Sequence, residues 1–442
     1  MPSLPFAHDP LEPDFFRPFL IAGIVTILTA GASWGAWILW QIGTARDFTG
    51  ISLYHVNAHG HAQIFGWVGL LIMGFAGHSF PRLWGASPLT LRFGLPLLGL
   101  MLAGILLRTI GMSAPQAAWG APLALVGGAM EILAILLFGG RMFLAYAHLP
   151  KRLEPADAFI LTALVFFLYQ AVFSVWHTHV VMNAPNEEAL VAQVATWQAP
   201  LRDLQIHGLA LFMVFGVHLR VFPEIFSLRK IPEKKAWTAY VLLLAAVLGE
   251  VILFLAYRAT GNHRIAAGLM LPWLMLTAGC FILGRAGGFL TRFTTLAGAP
   301  DRSIKFVRIA WVWLSVSLVL LLLMPLYQVI SGIAFSHAYY GAIRHAITVG
   351  FVSMLVMGVS ARVLPMIRGQ VPGGLPTLLI PFILVNLGCL LRVSTQILTD
   401  WHPGFFAVIG LSGLLEVLGL ALWAWGVGGT VGSQGSSEKV AA

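Results

Sequence analysis

Pro81, Pro223 and Pro365 stand 142 residues apart, and each is preceded at −7 by a glycine (Gly74, Gly216, Gly358) and at −3 by His78, Arg220 or Arg362. The first and third copies share more: a histidine at −20 (His61, His345), a glycine at −15 (Gly66, Gly350) and a methionine at −8 (Met73, Met357). The middle copy has Asp203 at −20 and its histidine, His207, at −16, one helical turn along the same face. A period this long means three copies of a unit that itself contains several helices.

Those helices are built for lipid. The chain is 58% hydrophobic and 10% charged, with apolar runs of twenty or more residues throughout, long enough to cross a bilayer. Reading apolar runs against polar interruptions predicts an all-α polytopic membrane protein of twelve transmembrane helices, roughly 16–42, 57–79, 89–112, 117–147, 157–181, 205–228, 236–258, 263–284, 305–331, 341–366, 375–399 and 403–430. They group into three pseudo-symmetric four-helix units, about 16–147, 157–290 and 305–430, inside one membrane domain over 1–430, with a Gly/Ser-rich tail, 431–442, expected to be disordered. Two polar linkers stand out, Ala184–Arg202 and the basic Arg285–Arg308. Fifteen basic residues fall in loops after even-numbered spans and five in loops after odd-numbered ones, which puts both termini in the cytoplasm by the positive-inside rule. Loop charges of this kind explain the net charge of +9, and nucleic-acid binding is set aside. Asp9, Glu12 and Asp14 stand where a cleaved signal would be positive. Cys280 and Cys389 each lie alone in an apolar run, so they suggest neither a disulfide framework nor a covalent haem attachment.

In that orientation ten histidines lie on the outer side and four on the inner. A histidine inside a span is costly to bury, and it faces a cavity, a partner or a metal. Taken singly such a residue is more often a hydrogen-bonded structural one. The repeat sets His61 and His345 apart, because imidazoles at equivalent places on two related helices can grip a haem iron from both faces. His59 lies about 200° around the helix from His61, so it serves a different centre or caps the helix. His207 sits about 6 Å deeper and, with His177, His179 and His337, can make a second site suited to copper or a second haem. Arg108 and Arg392 recur in the segments GILLR and GCLLR, and Glu250 takes the equivalent place in the middle unit. With Glu131 and Glu416 they have two readings: structural ion pairs, or a grip on haem propionates.

Twelve spans in three four-helix units, with histidines on the second, sixth and tenth, resemble subunit I of the haem-copper oxidases and nitric oxide reductases. The stretch His337-Ala-Tyr-Tyr-Gly-Ala-Ile-Arg-His345 is similar to their approach into helix ten. Ile347 stands where those enzymes carry a further histidine, and no HPEVY segment or adjacent histidine pair is present for copper. A closer resemblance is to the NnrS family. It is carried by Phe16-Arg17-Pro18-Phe19, by His59-Gly60-His61 with Phe65-Gly66, and by His345-Ala346-Ile347-Thr348-Val349-Gly350. The family's usual HAHE is not kept around Gln63. This resemblance implies a haem of b type, copper, a link to nitric oxide or another small gas, and a bacterial inner membrane.

The expected function is accordingly a haem- and copper-bearing membrane protein that binds or reduces nitric oxide, or protects against it. A second expectation is a quinol-dependent nitric oxide or oxygen reductase, with quinol as electron donor. A third, of another class, is a transporter or assembly factor for metal or haem, although threefold repeats differ from the usual inverted pair of transporters.

Overall fold

The computed structural model describes residues 15–148, 152–226, 228–288, 303–367 and 378–432. Among these there is no strand. The long helices are α1 (Phe16–Ala45), α2 (Leu53–Trp84), α3 (Leu91–Ser113), α4 (Gly120–Ala147), α5 (Pro155–Met182), α7 (Glu233–Thr260), α8 (His263–Gly287), α9 (Ile304–Ser331), α10 (His337–Met366), α11 (Leu379–Leu398) and α12 (Pro403–Gly428). These eleven are long and apolar enough to cross a membrane. Between α5 and α7, α6 runs without a break through Glu187–Asp203, Leu204–Leu211 and Phe212–Arg220; its middle carries Asp203, Gln205 and His207, and its last turn His218.

The outer linker expected at Ala184–Arg202 is therefore corrected: most of it is helix. Asn186 caps it by accepting from the Ala189 N–H at 2.8 Å, and Glu187 and Glu188 sit in the first turn, where the helix dipole favours acids. Of the basic linker, 289–302 lies outside the described residues, as does the tail from 433.

Burial sorts the helices into centre and rim. In the most apolar window of α2, 89% of residues are buried, and in that of α10, 78%, against 28–56% for the other nine. Every residue of Leu204–Leu211 in α6 is buried too. The rim helices turn Trp37, Ile252, Phe281 and Trp425 outward, a surface that only lipid satisfies. The repeat is thus three central helices with the others packed around them.

Its most regular mark is in the backbone. Ala62–Gly69, Leu204–Leu211 and Ala346–Ser353 are all π-helical, so the widened turns repeat at the same 142-residue interval as the prolines. Each begins directly after His61, Asp203 or His345. Such widened turns are frequent at functional sites.

The repeated glycines explain how the central helices accept their neighbours. A Cβ on Gly74 would stand 2.6 Å from Phe19 Cβ, one on Gly216 would stand 2.6 Å from Ile160 Cγ1, and one on Gly358 would stand 2.8 Å from Phe306 Cβ. In each unit, therefore, the first helix lies in a notch of the second. The arginines at −3 link unit to unit: Arg220 donates to the Leu83 carbonyl at 3.2 Å, and Arg362 to the Ile225 carbonyl at 3.1 Å, again 142 residues apart. Where the three central helices meet, Val68, Ala210 and Val352, with Ile72, Val214 and Val356 one turn on, line an open apolar cleft of about 110 Å³.

Gly74→Val will force the two helices apart and lower stability by about 1–3 kcal/mol, the usual cost of overpacking. Gly139→Ala, which meets nothing within 4 Å, will leave it unchanged or slightly higher. The thermal midpoint of each variant in detergent checks both.

Candidate haem and metal sites

Each unit places a polar cluster where its π segment begins, drawing on the helices that follow. In the first, His61 is 3% exposed. Its Nε2 lies 2.5 Å from Glu131 Oε1, and its Nδ1 lies 3.4 Å from Thr109 Oγ1. Arg108 donates from Nη1 to Glu131 Oε2 at 2.8 Å and from Nη2 to the Ser174 carbonyl and hydroxyl at 2.7 Å and to Thr178 Oγ1 at 2.8 Å. Gly104 makes this possible, since a Cβ there would stand 2.8 Å from Glu131 Cγ. The cluster ties α2, α3, α4 and α5 together and closes on itself.

The third unit has the same residue types and does not close. Gly388 again faces the glutamate, 2.7 Å from Glu416 Cγ. Arg392 and Glu416 are near enough to interact electrostatically. Yet Arg392 Nε and Nη1 and Glu416 Oε1 are buried without a hydrogen-bond partner, an arrangement rare in folded interiors unless something else occupies the space. His345 turns its Nδ1 to the Gly341 carbonyl at 2.8 Å, and Cys389 Sγ lies 3.8 Å from the carbonyl of His345 itself.

From α2, His59 approaches the same place. Its Nδ1 lies 2.9 Å from the Gly31 carbonyl, at the end of a short π-helical stretch, Ile27–Gly31. Gly35 clears its ring, because a Cβ there would stand 2.4 Å from His59 Cε1. His59 and Arg392 are both within electrostatic range of His345. An Nδ1–H given to a backbone carbonyl fixes the tautomer and leaves Nε2 as a lone pair, the usual preparation of a metal-binding imidazole. His59 and His345 are both held so.

Within electrostatic range of His345, the α2 histidine is thus His59 and not His61. Both nitrogens of His61 face partners on its own unit, and Arg108 is committed with it. The roughly 200° between positions 59 and 61 is the cause: one ring turns towards α3–α5, the other towards α1 and the third unit.

In the second unit Asp203 and His207 on α6 face Glu250 on α7. His207 Nδ1 lies 2.8 Å from Glu250 Oε2, and one ligand atom from each of the three lies within 4.8 Å of the others. Glu250 is 1% exposed, and its Oε1 has no partner. Arg344 on α10 lies within electrostatic range of the cluster and is stacked 4.4 Å over the Tyr340 ring.

The site expected from His207 with His177, His179 and His337 is not assembled. His177 is buried near Arg202 and Arg108 with Nε2 unpartnered. His179 points to the exposed side of α5 and bonds to Asn183. His337 is exposed in the first turn of α10, against Phe335. Asp203 and Glu250 take their places beside His207, and the repeat held the signal: Asp203 is the counterpart of His61 and His345, and Glu250 that of Arg108 and Arg392.

A family model described as NnrS protein matches residues 15–432. The chain belongs to the NnrS family. No curated protein matches it. The matched stretch of this NnrS chain contains all three clusters. Two of the clusters carry donors suited to a guest. Paired imidazoles with free Nε2 atoms, beside orphaned guanidinium N–H groups, fit a haem iron and its acid side chains. Copper prefers imidazole and sulfur donors, and among the described residues no three of these come together.

Glu131→Leu will strand Arg108 in the interior and cost about 3–5 kcal/mol, as breaking a buried pair does. Glu416→Leu removes a carboxylate whose Oε1 has no partner to lose, and will cost clearly less. Chemical denaturation of the two variants side by side measures the difference.

Proposed function

We propose that this NnrS-family membrane protein binds a b-type haem, that His59 on α2 and His345 on α10 would hold its iron, and that it serves in the binding or removal of nitric oxide. The observation that carries the reading is the matched pair of imidazoles, each anchored through Nδ1 to a backbone carbonyl, next to a buried arginine with unpartnered N–H groups. Arg392 is placed to pair with a propionate, and Arg344, whose Nε and Nη2 are also buried and unpartnered, is the next candidate. When bound, haem would supply redox and gas-binding chemistry. The chain's own contribution is to fix both rings, to neutralise the acid groups, and to keep water away with the apolar packing of α2, α6 and α10. The apolar cleft among these helices suits an uncharged diatomic gas and repels ions. Family membership supports the link to nitric oxide. Copper has no matching donor set among the described residues, and no step is assigned to it. Family membership favours a bacterial inner membrane, and the loop charges favour cytoplasmic termini.

Purified protein will show a Soret band. His59→Ala and His345→Ala will each lose or shift it, whereas His61→Ala will keep its haem-to-protein ratio while melting earlier. A colourless wild type, reconstituted with haem to no effect, overturns the assignment; loss of the band in His61→Ala alone would return the ligand role to His61.

A further inference from the structure

We infer that Asp203, His207 and Glu250 form a second, separate binding site, for a divalent cation of the manganese, iron(II) or zinc class. The inference does not depend on whether His59 and His345 hold haem.

The helix geometry supplies the first argument. Asp203 and His207 are four residues apart on α6, where Leu204–Leu211 is π-helical, so both side chains leave the same face towards Glu250. The 2.8 Å between His207 Nδ1 and Glu250 Oε2 is the spacing of two neighbouring donors around an ion bound at about 2.0–2.1 Å. All three donors lie within 4.8 Å of one another.

The second argument is the donor left over. Glu250 Oε1 is buried and bonded to nothing, although a carboxylate oxygen in an apolar interior is expensive without a partner. An ion pair between Glu250 and a protonated His207 would satisfy Oε2 and leave Oε1 and Asp203 unanswered. A divalent cation answers all three.

Charge points the same way. With His207 neutral, the two carboxylates bring two negative charges, and Arg344 is the cation that faces them from α10. Arg344 offsets one, so a dication meets a net negative pocket. Carboxylate donors suit manganese, and imidazole suits zinc and iron; a set of two carboxylates and one imidazole falls where these preferences overlap and away from copper. Three protein donors also leave coordination positions open.

The test uses the full chain in detergent, stripped with a chelator and titrated with Mn(II), free ion being read by electron paramagnetic resonance. Wild type will take up one tightly bound Mn(II), displaced by Zn(II), with pulsed spectra showing a single imidazole nitrogen. Glu250→Gln and Asp203→Asn will weaken uptake by more than about 100-fold, beyond what outlying partners of a ligand usually contribute. His207→Gln will remove the nitrogen coupling, and His345→Ala will retain uptake. Each variant is required to keep the wild-type elution volume and far-ultraviolet spectrum; nitrogen coupling in the wild type stands as evidence even if a variant fails to fold. Absence of tight Mn(II) or Zn(II) uptake by the wild type, unchanged affinity in Glu250→Gln, or equal loss in His345→Ala would each overturn the site.

Discussion

In the first unit a buried arginine, glutamate and histidine neutralise one another, and the rest of the architecture is read against that closure. Arg108 and Glu131 are 1% and 0% exposed, so their charges are tolerable only because every strong donor and acceptor but Arg108 Nε has a partner. The same helices, glycines and residue types return as His345 and Arg392, 284 residues later, and as Glu416, 285 residues after Glu131. There the groups are brought near one another without being bonded. Identical chemistry in a quasi-identical frame makes the difference informative: the first cluster is a closed brace, and the third leaves Arg392 and Glu416 atoms without partners.

The π segments connect local structure to that outcome. Widening the turn immediately after position 61, 203 or 345 reorients the side chains beyond it, and it happens in all three units, so it belongs to the shared frame and not to one ligand. What differs is the side chain at the entrance and its counterpart on the following helix. Histidine faces arginine in the first and third units, and acid faces acid in the second. One backbone device therefore serves a structural ion network, an imidazole pair shared with α2, and a carboxylate-rich pocket.

Much of this was legible in the sequence. The prolines, glycines and arginines at fixed offsets gave the threefold plan, and apolar runs located the helices. The notches at Gly74, Gly216 and Gly358, and the links from Arg220 and Arg362, supply the physical reason for those offsets. Where the sequence reading fell short, it was through treating polar stretches as loops and histidines as the default donors. Asn186-Glu187-Glu188 is a helix start by its capping and charge, but its polarity resembles a linker. His61 stood out because it matches His345 by position, yet equivalence by repeat puts it in the corresponding cluster of its own unit, not opposite its counterpart. A residue that approaches His345 from another unit has to come from a different register, and His59 comes within its electrostatic range.

That last point bears on how a pseudo-symmetric bundle makes a shared site at all. If each unit's second helix used only the position facing its own third and fourth helices, every cluster would be internal and the units would remain three separate braces. A second histidine two residues earlier, about 200° round, gives α2 a second working face; Gly35 on α1 makes room for its ring and the Gly31 carbonyl holds it. Arg344 does the corresponding service for α10. It is one residue before His345 and so about 100° round the helix, turned towards the cluster of the second unit, while His345 faces that of the third. The helices that line the boundaries between units, α2 and α10, thus carry residues for two clusters each.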